Sequence, residues 1–230
     1  MKLRLLDGGS PECERFLKAL EHRRADNGGA VEQAVAAIIS AVRRGGDRAL
    51  IRLAKRFDGA RLRPETIRVG AKELKAARDK LTRAERAALE LAARRIAAFH
   101  RRTLDHSFNY VDALGMRLGQ LVTPLSRVGI YVPGGQGAYP STVLMNALPA
   151  RVAGVGEIVM VSPAGGDGDR QITLAAAAIA GVNEVYRIGG AHAIAALAYG
   201  TATIRPVDKI VGPGNAYVQA AKRMVYGITD

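Results

Sequence analysis

Four short apolar runs, at residues 128–132, 157–161, 184–188 and 207–211, constrain this chain more than anything else in it. Each is rich in β-branched residues and is closed by glycine or proline. The closing stretches are Pro133-Gly134-Gly135, Ser162-Pro163, Gly189-Gly190 and Gly212-Pro213-Gly214-Asn215. After each comes an Ala-rich stretch long enough for a helix. Strand-length runs alternating with helices of ten or more residues predict βαβ units, because parallel strands can be joined only by a crossover that returns the chain to the same edge. The fold class expected is α/β: a three-layer α/β/α domain on a parallel sheet over 128–227. Ligands of such sheets bind at the carboxyl ends of the strands, where these glycine-rich turns fall.

The 127 residues before that stretch read differently. Residues 1–28 form an arm, with one helix near 12–23. Val31, Ala34, Val35, Ile38, Ile39 and Val42 then recur at helical spacing over 30–44. Gly45-Gly46 is expected to stop that helix, and Asp47 to cap a second one over 47–57. A short strand at 66–69 and a helix at 71–80 follow. Thr82-Arg83-Ala84-Glu85 fits a capping box opening a helix that runs to about Leu104, with Leu89, Ala92, Ile96 and Phe99 as its stripe. Alternation around Leu114-Gly115 predicts a β-hairpin. Residues 29–127 are therefore expected to be a mostly helical segment.

Charge is uneven. Residues 1–128 hold 27 Lys and Arg against 15 Asp and Glu, and the remainder 7 against 6, which makes up the net +13. The basic residues interleave with Ala and Glu on helix faces and few aromatics accompany them. A solvated surface is the expectation, and nucleic acid is not expected as a partner. The single cysteine, Cys13, excludes a disulfide framework and points to a reduced, cytoplasmic setting. No apolar run nears the roughly 18 residues of a membrane span, and the amino terminus lacks a signal-type apolar region.

The turns carry the candidate chemistry. A glycine-rich turn leading into a helix offers N–H groups and a positive dipole end to an anion. Ser141-Thr142 is placed to cap the helix expected over 143–155. The acidic stretch 162–169 reads as a surface loop, with a helix from Gln171. His192 lies in the first turn of a helix, where the dipole disfavours a protonated ring. In Gly212-Pro213-Gly214-Asn215 the glycines admit close approach, Pro213 suits a helix start, and Asn215 offers both a donor and an acceptor. No G-x-G-x-x-G, P-loop, H-E-x-x-H or G-x-S-x-G motif is complete. Residue patterns alone thus leave an α/β domain for an anionic or nucleotide ligand, without a reaction.

The stretches Arg127-Val128-Gly129-Ile130-Tyr131-Val132-Pro133-Gly134-Gly135, Ser141-Thr142-Val143-Leu144-Met145, the run from Gly189-Gly190-Ala191-His192 to Tyr199-Gly200, and Val207 to Asn215 closely resemble histidinol dehydrogenase. The resemblance implies oxidation of L-histidinol to L-histidine through the aldehyde in two NAD-dependent steps, ending histidine biosynthesis. It implies a zinc ion that orients the substrate, a homodimer with shared sites, and two Rossmann-like domains, one inserted in the other, in an aldehyde dehydrogenase-like architecture. The family's NAD contacts fall on Tyr131, His192 and Asn215, where His192 replaces the family's glutamine. Its zinc ligands, its Glu-His acid/base pair and its substrate contacts are expected beyond residue 230, so no catalytic or metal residue is assigned here. The chain alone is expected to be an inactive amino-terminal portion with apolar surface left uncovered. The alternatives are a related NAD-dependent alcohol dehydrogenase of the same family, or a non-catalytic NAD- or nucleic-acid-binding remnant.

Overall fold

The computed structural model describes residues 5–22, 28–134, 137–163 and 167–230. Helix α1 (Pro11–His22) starts where Ser10 Oγ accepts the Cys13 N–H at 3.2 Å. Phe16, Leu17 and Leu20 of this helix remain exposed. The two helices expected over 30–57 run together as α2 (Gly28–Phe57), kinked at Gly46, whose φ of 49° and ψ of −136° suit a residue without a Cβ. Asp47 does not cap the second part. Its carboxylate accepts the Thr203 hydroxyl at 2.6 Å instead, a partner 156 residues away.

The strand expected at 66–69 is corrected. Pro64–Ile67 is a single helical turn, α3, because Pro64 presets the first dihedral and Thr66 Oγ1 takes the Arg63 N–H at 2.8 Å. Only Arg68 and Val69 are extended, bridging the edge of a strand met below. Helix α4 (Ala71–Asp79) follows. Helix α5 (Arg83–Arg101) opens on the expected capping box: Thr82 Oγ1 accepts the Glu85 N–H at 3.2 Å and Glu85 accepts the Thr82 N–H at 2.8 Å. It ends three residues before Leu104, and Phe99 lies outside the buried stripe. Strands β1 (Phe108–Val111) and β2 (Arg117–Gln120) form the expected antiparallel hairpin. Its turn is built by Asp112 Oδ1 on the Leu114 and Met116 N–H groups and by Gly115 at φ 81°.

Then comes the sheet. Strand β3 (Arg127–Tyr131) leads to α6 (Pro140–Val152), β4 (Glu157–Val161) to α7 (Asp167–Ala180), β5 (Glu184–Tyr186) to α8 (Gly190–Tyr199), and β6 (Lys209–Val211) to α9 (Ala216–Val225). All pairings are parallel, in the order β5-β4-β3-β6. Two helix starts differ from expectation. Helix α6 begins at Pro140, with Tyr139 before it and no side-chain cap, so Ser141 and Thr142 lie inside the first turn. Helix α7 begins inside the stretch expected as a loop, of which 164–166 lie outside the described residues.

Strand residues alternate between two cores. Tyr131, Val159, Val161 and Tyr186 face α2, α8 and α9. Val128, Ile130, Ile158, Met160 and Val185 face α4, α5, α6 and α7. The opening helices therefore do not stand apart from the sheet; α2 lies on one layer and α4 and α5 on the other. Helix α8 is buried from Ala191 to Ala198 because α2 covers the side that α9 and the sheet leave open. Close approach is arranged at Gly129, where a Cβ would lie 2.9 Å from Leu197 Cδ1. At the amino edge, the buried Arg127 guanidinium pairs with Glu157 and Glu184, which ties the starts of three strands together. Among the described residues no helix is long and apolar enough to cross a membrane.

Candidate functional site

The chain leaves β3 toward β4 on one side, then returns past β3 to lay down β6 on the other. The connections diverge between β3 and β6, the switch point at whose carboxyl ends sheets of this kind bind their ligands. Two of the glycine-rich turns meet there. Gly212 has φ 107°, and a Cβ on it would lie 2.2 Å from the Tyr131 carbonyl oxygen, so the fourth turn rests directly on the end of β3. Lys222 Nζ, whose pKa burial pushes down, donates to the Gly212 carbonyl at 3.1 Å and fixes the turn from behind. The first, second and third turns converge on Pro163: a Cβ at Gly134 or Gly189 would come within 2.9 or 2.8 Å of its ring.

Tyr131 is buried at the end of β3, and its hydroxyl accepts the Gly190 N–H at 3.1 Å. Burial, with a smaller contribution from the Asp58 carboxylate, pushes its pKa above 10.0 against the pull of the Gly190 bond. Asn215 is exposed and caps α9 by accepting the Val218 N–H at 3.1 Å. That bond uses Oδ1 and orients the amide so that Nδ2 is left as a donor. Helix α6 starts without a side-chain cap, which leaves its first N–H groups for an anion.

His192 faces the other way. Its ring has no exposed surface, stacks on Phe57 at 6.2 Å, and places Nε2 at 3.3 Å from Asp58 Oδ2. The same Asp58 oxygen accepts the Gly189 N–H at 3.3 Å. Both N–H groups of the Gly189-Gly190 turn are therefore taken by side chains of the chain itself, Asp58 and Tyr131. Of the three residues expected at the cofactor, Tyr131 ends β3 and Asn215 opens the helix after the neighbouring β6, while His192 lies behind the turn that braces Tyr131. Asp58 had no signal in the sequence beyond marking a helix end before Gly59. Among the described residues no three His, Cys, Asp or Glu side chains gather as a metal ion would require.

A parallel sheet in the order β5-β4-β3-β6, with helices on both faces, defines a doubly wound α/β protein. The family model for histidinol dehydrogenase matches residues 21–230, and the chain belongs to that family. It is 52% identical over 229 residues to histidinol dehydrogenase of Aromatoleum aromaticum, covering 98% of this chain and 52% of the relative. It is 51% identical over 236 residues to that of Cupriavidus pinatubonensis, covering 99% and 52%. The crystal structure of histidinol dehydrogenase from Elizabethkingia anophelis superposes with a TM-score of 0.80 at 34% identity, over 86% of this chain and 46% of that one. The chain thus spans about half the length of the relatives it matches.

Proposed function

We propose that the chain forms the NAD-holding part of a histidinol dehydrogenase, which oxidises L-histidinol to L-histidine through the aldehyde. One observation carries the reading: Gly212 lies so close on Tyr131 that the Tyr131 and Asn215 turns sit side by side at the switch point. The cradle that a Cβ would fill, the Asn215 amide and the uncapped start of α6 together suit a dinucleotide. NAD, when bound, accepts the hydride. The chain's own part is to place it: Asn215 donates from Nδ2, Tyr131 bounds the site, and α6 receives the pyrophosphate. His192 lies behind the Gly189-Gly190 turn, which Asp58 holds by accepting the Gly189 N–H.

The described residues do not make a zinc site. In the whole enzyme we place the zinc and the acid/base chemistry on residues beyond 230, in a cytoplasmic homodimer. On this reading 1–28 is an arm, 29–127 the opening segment of the catalytic domain, and 128–227 the NAD-binding domain of an aldehyde dehydrogenase-like architecture. The test is an NMR titration of the chain with NAD. Amide signals of Tyr131 and of Gly212 to Asn215 should move, Asn215→Ala should weaken binding about tenfold, and histidinol should not be turned over. Unmoved signals at millimolar NAD would sink the reading.

A further inference from the structure

A narrow cleft of about 30 Å³ lies at the carboxyl ends of β3, β4 and β5, lined among others by Gly134, Ser162, Pro163, Arg170 and Arg187. In doubly wound sheets the adenosine ribose of a dinucleotide lies near the end of the second strand, here β4. An acidic residue there suits a 2′-hydroxyl, and an arginine there suits a 2′-phosphate. This cleft has two arginines, and both are engaged by one carboxylate. Glu73 of α4 meets Arg170 Nη2 through Oε1 at 2.5 Å and Arg187 Nη2 through Oε2. Arg187 also donates through Nη1 to the Thr66 carbonyl at 2.7 Å, while its buried Nε has no partner among the described residues. Burial alone would push the Glu73 carboxyl up, but Arg187 and Arg170 together hold it below the ordinary glutamate value.

We propose that Glu73 sets the choice of NAD over NADP by occupying the two arginines that a 2′-phosphate would need. The proposal rests on the reading that NAD binds at this edge of the sheet. A phosphate entering the cleft would have to displace a carboxylate already held by two guanidinium groups. The displaced carboxylate would remain beside it as a like charge, which is discrimination through an unfavourable pairing with the wrong ligand. A ribose with a free 2′-hydroxyl makes no such demand.

Isothermal titration of the chain with NAD and with NADP reads the ratio of the two affinities. Glu73→Gln keeps the side-chain shape and removes the charge. It should raise the NADP-to-NAD ratio at least tenfold and steepen the salt dependence of NADP binding, because phosphate neutralised by arginine is salt-sensitive. Adding Arg170→Ala should bring the ratio back toward wild type. Glu73→Asp, one methylene shorter and able to reach one arginine only, should move the ratio the same way by less, and it serves if Glu73→Gln fails to fold. A wild-type chain that binds NAD, with a ratio unchanged in the folded variants, overturns the role of Glu73 and leaves the NAD site standing. A wild-type chain that binds no NAD removes both.

Discussion

At Gly212 a single hydrogen atom decides whether two turns can meet. The left-handed backbone and the 2.2 Å approach to the Tyr131 carbonyl oppose any side chain independently. Gly212→Ala should therefore cost about 2–4 kcal/mol, combining left-handed strain with overpacking, and should abolish NAD-induced shifts; a urea melt and the NMR titration check the two parts. Tyr131 is a milder case. Tyr131→Phe keeps the buried ring and leaves the Gly190 N–H without its 3.1 Å acceptor. An unpaired buried donor costs about 1–3 kcal/mol. The loss should appear in the melt, together with faster hydrogen exchange at Gly190. An unchanged exchange rate there would mean that the bond does not hold the turn.

The elements were legible in proportion to how local their causes are. The box at Thr82 and Glu85, the Asp112-to-Gly115 turn and the four parallel strands could all be read from neighbours a few residues apart. Thr66, Ile67 and Val69 are β-prone, which is why the pattern there predicts a strand and not the turn of Pro64–Ile67. Pro64 and the Thr66 hydroxyl start a helical turn there, and pairing waits for the edge of β5. The start of α6 was misplaced for a similar reason: Pro140 begins the helix more effectively than Ser141 or Thr142 can cap it. Packing between elements supplies a prediction of its own. Gly129→Val would drive a branched side chain into Leu197 and part α8 from β3, costing about 1–3 kcal/mol by overpacking. Thermal melting should show a lower Tm with the far-ultraviolet dichroism retained.

Across the whole molecule, charge ties distant segments together and makes stability depend on pH. Glu184 is pushed up by burial but held below the ordinary value of 4.5 by Arg127, Tyr186 and Arg68, and Glu73 is likewise lowered. A carboxylate with a lowered folded-state pKa stabilises fully above its unfolded value and loses that contribution as pH falls through the folded one. Acid destabilisation should therefore begin below about pH 4.5 and deepen as these groups protonate. Tyr186 is pushed up to about 12 by burial and then by Glu184, so its contribution is present below pH 10.0 and is lost between there and about 12. Urea melts across pH 2.5–12, on the wild type and on Arg127→Met, should trace both edges, with the acid edge shallower in the variant. The opening helices, expected to leave apolar surface uncovered, pack on the sheet, while Phe108, Tyr110, Val111 and Leu118 of the hairpin and Leu91 and Phe99 of α5 are exposed.

What the sequence determined by itself was the α/β class, the strand runs with their closing glycines, and membership of a family through long ordered motifs. These are carried by backbone preference and side-chain period, which act between near neighbours. Tertiary structure alone decided the strand order, the placing of the opening helices on both faces of the sheet, the inward turn of His192 toward Asp58, and the capture of Arg170 and Arg187 by Glu73. Each of those joins residues far apart in the chain; Glu73 and Arg187 are separated by 114 positions. A contact at that distance leaves no local pattern, because its partners become neighbours only once the sheet has brought its turns to one edge.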